Sequence, residues 1–402
     1  MKDKILRIIS ESMINDEEYL DMIASSNYID KEVREILSSI LSNKITKGNI
    51  KGRKYINSKY ADEIENLTIE EAKKTFECKY ANASCNSLLI ASNLAYDVLL
   101  NKGDKVLVFG MENDEYLSSY IKKEYNFISY SLEKDIVQIN YNDLRSKVEE
   151  EKPNLLLITS SSYPRKFDFS EIKDICSSND CLLLVNMDHI SGLVAAKLYD
   201  NPINYADLVI TSTNKTLKGP IGALLLTNNS SINNKINTII NSKYQDEIMI
   251  NTMAAKAIAL SNARTDSFKE YQKQVIKNSK ILCDVLKQNK VKLVCNGTDN
   301  HLLIIDVKKS FNITGKEAEK KLYNINILCN KCLIPKDPTN QFITSGIRLG
   351  TSAHTSRGLK EGDFAELANI ITDCLSSVKK DNELIKQVSE LTGKYILYKE
   401  GD

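Results

Sequence analysis

Ala206-Asp-Leu-Val-Ile-Thr-Ser212, then Thr213-Asn-Lys215-Thr-Leu-Lys-Gly219-Pro220-Ile-Gly222, then Ala223-Leu-Leu-Leu-Thr227 is the stretch that decides how this chain is read. Two apolar runs of strand length flank a turn punctuated by Gly219-Pro220, and Lys215 stands between them. A lysine held between buried strands is placed to act as a nucleophile, because burial favours the neutral amine that attacks carbonyl carbon. Amines so placed form Schiff bases, pyridoxal phosphate (PLP) being one carbonyl partner. The competing reading is a solvated loop lysine, which this window alone favours.

Outward from that stretch, short apolar runs alternate with amphipathic spacers: Lys105-Val-Leu-Val-Phe109, Asn154-Leu-Leu-Leu-Ile158, Cys181-Leu-Leu-Leu-Val185 and Leu208-Val-Ile210. Runs that are apolar throughout, separated by helical spacers, predict a mainly parallel sheet covered by helices. Upstream, residues 5 to 43 read as helical with a break near Ala24-Ser-Ser-Asn27, and Lys47-Gly-Asn-Ile-Lys-Gly-Arg-Lys54 reads as an exposed loop. Downstream, a long helical region over 254–289 precedes strands at Lys292-Leu-Val-Cys295, His301-Leu-Leu-Ile-Ile-Asp306 and Arg348-Leu-Gly350, with a helix starting near Thr314 and a final helix pair. The expected organisation is an N-terminal helical arm (1–45), a large α/β domain (46–284) and a smaller C-terminal α+β domain (285–402).

The 402 residues carry Lys+Arg 54 against Asp+Glu 53, a net charge of +1. No global field recruits nucleic acid or an anionic membrane surface. The four basic residues of the 47–54 loop have only Tyr55 beside them, which argues against nucleic-acid binding. No apolar run reaches membrane-helix length and no signal-peptide core precedes Asp16-Glu-Glu18, so a soluble, cytoplasmic protein is expected. The nine cysteines form no disulfide-like framework. Cys329-Asn-Lys-Cys332 lies in a run that reads as a strand, where residues three apart face opposite sides, so no metal is expected there.

Five segments together resemble the serine hydroxymethyltransferase family: Asp21-Met-Ile-Ala-Ser-Ser-Asn-Tyr28, Asp188-His-Ile-Ser-Gly-Leu-Val-Ala-Ala196, the Lys215 stretch, Gly297-Thr-Asp-Asn-His-Leu302 and Thr344-Ser-Gly-Ile-Arg-Leu-Gly-Thr351. The resemblance covers nearly the whole chain. It implies the aminotransferase-like fold of PLP-dependent enzymes, an amino-acid substrate, and a homodimer or higher homo-oligomer. By the same resemblance Lys215 forms the Schiff base and Arg348 grips the substrate α-carboxylate, a bidentate task suited to guanidinium. His189 and Tyr60 match catalytic positions, Tyr60 typically reaching the neighbouring subunit, and Ser161 matches a serine lining the cofactor.

Departures from the family fall on the same sites. Asn186 stands where an aspartate pairs with the pyridinium nitrogen, and Asp188 where a small residue packs under the ring. On a strand these two share a face, about 6.6 Å apart, so Asp188 either substitutes for the lost carboxylate or obstructs the ring. The phosphate turn retains Ser87 but has Leu88 for its glycine, and Asp246-Glu247 occupy the place of a Gly-Gly pair that serves the partner's phosphate. Ser26 replaces the acid that assists proton transfer and contacts folate; Asn214 replaces a histidine, Asn49 a tyrosine, and Tyr116 is the aromatic candidate for stacking on the ring.

Two functions are therefore expected in order. The first is a divergent PLP-dependent transferase or lyase performing aldol, retro-aldol or related chemistry at Cα, without tetrahydrofolate. The alternative is a catalytically degenerate paralogue without PLP, serving as a binding or scaffold subunit, including as a heteromer with a homologue.

Overall fold

The computed structural model describes residues 1–110, 121–133 and 136–398. Tyr116, the stacking candidate, lies outside them. The chain divides into two compact units, one of residues 29–132 and 139–272, the other of residues 1–28, 133–138 and 273–402. The arm read over residues 1–45 is thus shared between them.

The first unit is built on a seven-stranded sheet in the order Tyr80–Asn82, Ala223–Thr227, Leu208–Ser212, Leu182–Asn186, Leu155–Thr159, Lys105–Phe109, Asn126–Tyr130. The last five run parallel, whereas Ala223–Thr227 is antiparallel to both its neighbours. Strands 155–159, 208–212 and 223–227 are buried at every position, which is why each carries three or four successive apolar residues rather than an alternating pattern. Helices start where short polar side chains take up orphan backbone donors: Ser87 Oγ accepts from Ile90 N–H ahead of Leu88–Leu99, and Asp168 caps Phe169–Ser177. Leu94, Val106, Leu155, Leu184 and Leu225 belong to one continuous core beneath the sheet.

The second unit holds an antiparallel sheet, Asn330–Cys332, Gly346–Gly350, Leu302–Asp306, and a parallel pair, Leu20–Asp21 with Ile327–Leu328. The expected helix at Thr314 starts there with a full capping box, Thr314 with Glu317. Two readings change. Residues 292–295 form no ladder strand but a 3-10 turn with one bridge, Leu293 to Ile305, because Cys295 and Asn296 take left-handed backbone angles. The 254–289 region is two helices, Ile250–Asn262 and Asp266–Gln288.

His354, on the helix Ser352–Arg357, is fully buried beside Tyr28, and burial with the nearby Arg357 cation lowers its pKa from 6.5 to about 3. A group kept neutral in the fold but protonated when unfolded makes stability fall as pH drops from 6.5 toward 3. The slope from this one proton is ~1.4 kcal/mol per pH unit. Denaturation curves of His354→Leu across that window should lose this slope; an unchanged slope would assign acid sensitivity elsewhere.

Candidate active site

Three parallel strands end on one edge of the sheet, and the site of the first unit is assembled there. Ser161 follows strand 155–159, Asn186 ends strand 182–186, Asp188 and His189 follow it, and Lys215 follows strand 208–212. The strand stops at Asn186, so the expected shared strand face of residues 186 and 188 is not realised. Asp188 sits in a turn, its N–H donating to Asn186 Oδ1 at 3.2 Å. Asn186 also accepts through its backbone carbonyl from Ser160 N–H and Oγ.

Lys215 makes a direct ion pair with Asp188, the ammonium at 6% and the carboxylate at 0% side-chain exposure. The segments carrying them are tied together next door. Thr216 Oγ1 accepts from Gly192 N–H at 2.9 Å and donates to His189 O at 3.2 Å, while Gln272 Nε2 holds Thr216 O at 2.8 Å. A side chain at Gly192 would place its Cβ 2.3 Å from Thr216 O, so the close approach requires glycine. The Lys215 turn is closed by Gly219 N–H to Thr213 O and by Thr213 Oγ1 to Pro220 O. The lysine is therefore not a solvated loop residue.

The turn before Ser87 is held by side chains that sequence reading missed. Lys256 Nζ donates to Ala83 O (2.6 Å), Cys85 O (2.9 Å) and Ala223 O (3.2 Å), and burial lowers its pKa to about 8. Gln245 Nε2 donates to Ser84 O, and Gln245 Oε1 accepts from Asn86 N–H. Residues 83–86 are thus clamped immediately before Ser87 and the helix start. The signal was a lone charge in the apolar run Met253-Ala-Ala-Lys256-Ala-Ile-Ala-Leu260. Asp246 and Glu247 are exposed, with Lys47 bonded to both and Lys54 3.9 Å from Asp246. The negative charge that these two residues bring to the place of the glycine pair is thus paired with lysines of the 47–54 loop. The 47–54 loop is less solvated than expected, since Arg53 is buried against Asp62 and Glu65. Tyr60 is exposed at the start of the helix Lys59–Phe76.

In the second unit, Arg348 lies mid-strand in Gly346–Gly350 opposite Asn330, whose Oδ1 accepts from it at 3.4 Å. Ser26 hydrogen-bonds the Asp21 carboxylate, whose pKa is raised by burial against the pull of the Ile23 N–H and Ser26. The CxxC cysteines are both buried, Cys329 lying between two short strands, and among the described residues no cluster of His, Cys, Asp and Glu has metal-site form.

PLP requires a lysine, phosphate donors and space for a ring. The helix start at Ser87 and the amine of Lys215 fit the phosphate and aldehyde ends of the group. Lys215, Asp188, Asn186, His189, Ser161 and Leu88, the candidates for the ring's surroundings, are each no more than 7% exposed, and Asp188 is paired with Lys215.

A mainly parallel sheet flanked by helices, with Lys215 buried at its strand ends, is the architecture expected of the type I fold of PLP-dependent enzymes. The family model described as serine hydroxymethyltransferase matches residues 1–371. The chain is 39% identical to the serine hydroxymethyltransferase of Mycoplasma mycoides subsp. mycoides SC over 99% of both chains. It is 38% identical to that of Mycoplasma capricolum subsp. capricolum, over 99% of this chain and 98% of the relative. This chain belongs to the serine hydroxymethyltransferase family. Both relatives are named for hydroxymethyl transfer, so the comparisons lend no support to the expected exclusion of tetrahydrofolate. Among the described residues, no helix is long and apolar enough to cross a membrane.

Proposed function

We propose that this chain is a PLP-dependent enzyme acting on a small amino acid, making or breaking a bond at Cα. The observation that carries this reading is Lys215, buried at the strand ends where the family places its cofactor lysine. When bound, PLP supplies a carbonyl for an amine and a ring that accepts electrons from Cα. Lys215 would hold the carbonyl carbon, Ser87 and the helix start behind it would hold phosphate, and Ser161, Asn186 and His189 would line the ring. Arg348 binds the substrate carboxylate and Tyr60 serves the neighbouring subunit of a homodimer. Asn186 offers the ring nitrogen no charge, and the Ser26 hydroxyl lacks a carboxylic acid's proton-donating strength. These two residues support a specialised aldol or retro-aldol reaction over standard folate-dependent serine–glycine interconversion. A cytoplasmic location fits this role.

A second reading is favoured by one observation, the buried Asp188–Lys215 pair. In it the chain carries no PLP and serves as a binding subunit, alone or with a homologue. Visible absorbance of the purified protein titrated with PLP separates the two. A band absent in Lys215→Ala, fixed by borohydride and perturbed by one amino acid, is the expected result; adding tetrahydrofolate then reports whether folate alters it. No band at saturating PLP rejects the first reading.

A further inference from the structure

We propose that Asp188 is a latch on Lys215: its carboxylate occupies the ammonium in the empty protein, and PLP enters only by displacing it. The inference rests on the reading of Lys215 as the cofactor lysine and adds to it a device that sets how readily the site loads.

Three features carry it. Asp188 is wholly buried and its ion pair to Lys215 is direct, so the nitrogen that must meet an aldehyde is already engaged. The backbone on either side is fixed by Thr216, which joins His189 O to Gly192 N–H, and by Gln272, which holds Thr216. The two segments therefore do not drift apart, and the latch opens by side-chain rotation. Finally, the strand ends at Asn186 and the Asp188 N–H is bonded to its side chain, which sets Asp188 beside the lysine nitrogen.

The chemistry balances without a further reactant. Asp188 takes one proton from the Lys215 ammonium, and the neutral amine adds to the aldehyde carbon of PLP. The aldehyde oxygen leaves as water with the two remaining amine hydrogens, and the proton from Asp188 returns to the nitrogen of the carbon–nitrogen double bond, so charge and atoms are conserved. Asp188 must withdraw far enough for the aldehyde carbon to reach nitrogen, and the ion-pair energy lost on withdrawal weakens PLP binding.

The test is PLP affinity, read from the lysine-dependent absorbance band, in wild type, Asp188→Asn and Asp188→Ala. The latch predicts a graded rise, with Asp188→Ala binding at least about 10-fold tighter than wild type. Asp188→Ala/Lys215→Ala should show no band. Thermal melts confirm folding, and if Asp188→Ala is unfolded the comparison rests on Asp188→Asn. A second readout needs no PLP. Reductive methylation with formaldehyde and cyanoborohydride, followed by peptide mass spectrometry, should modify Lys215 faster in Asp188→Asn than in wild type. Equal or weaker PLP binding in the variants, including no band in any of them, overturns the latch. The proposed function is judged separately, by wild type at saturating PLP: a wild-type band with no gain in the variants keeps the enzyme and rejects the latch.

Discussion

Lys215→Met is expected to destabilise the empty protein by ~3–5 kcal/mol, measured by denaturant unfolding without PLP. The substitution removes the ammonium from a carboxylate at 0% exposure, and a buried charge deprived of its counter-ion loses its attraction while keeping its desolvation cost. A lysine kept free for catalysis predicts the opposite, since substitutions away from such pairs usually change stability by no more than ~0.5 kcal/mol. Lys215→Met/Asp188→Leu should recover most of the loss, because an apolar pair of similar volume replaces a buried ion pair at little net cost. A single-variant loss below ~1 kcal/mol would mean the pair contributes nothing in solution and would remove the basis of the latch.

Arg357→Met should cost about as much, ~3–5 kcal/mol, in the other unit. The Arg357 side chain is fully buried and donates to Glu17 Oε2 (2.7 Å), Glu17 O (2.8 Å), Tyr395 O (2.8 Å) and Thr392 O (3.1 Å). The other oxygen of Glu17 accepts from Leu397 and Tyr398 N–H, both at 2.7 Å. One guanidinium thus ties the end of the helix Lys2–Glu18 to the C-terminal segment, and Met fills its volume without satisfying any of these acceptors. The expected signature besides lower stability is faster proteolysis near residues 392–398. Arg357→Lys should recover only part of the stability, because a single ammonium cannot span the fork. Unchanged unfolding in Arg357→Met would show that these bonds are replaced by water.

Much of the fold was legible because its buried strands are unbroken apolar runs. Lys105–Phe109, Leu155–Thr159, Leu182–Asn186 and Leu208–Ser212 all appear where the residues indicated. The capping box at Thr314 and the turn at Gly219-Pro220 could likewise be read locally, since both depend on residues within a few positions. The 292–295 strand was misread because an apolar run does not reveal the left-handed backbone that ends it at Cys295.

The site divides along the same line. The sequence alone determined that positions 26 and 186 carry no carboxylate and that position 188 does, and its resemblance to the family singled out Lys215 and Arg348 as candidates for the cofactor and the substrate carboxylate. None of this needed coordinates. Whether Asp188 faces the ring nitrogen or Lys215 depended on where a strand stops and how a turn closes. The segment after that strand is tied to the Lys215 stretch by hydrogen bonds of Thr216 and Gln272, which bridge 27 and 56 residues of chain. Lys256 and Gln245 behind the turn at residues 83–86 were hidden for the same reason: their partners are backbone carbonyls and an N–H brought close only by folding, which no side-chain pattern records.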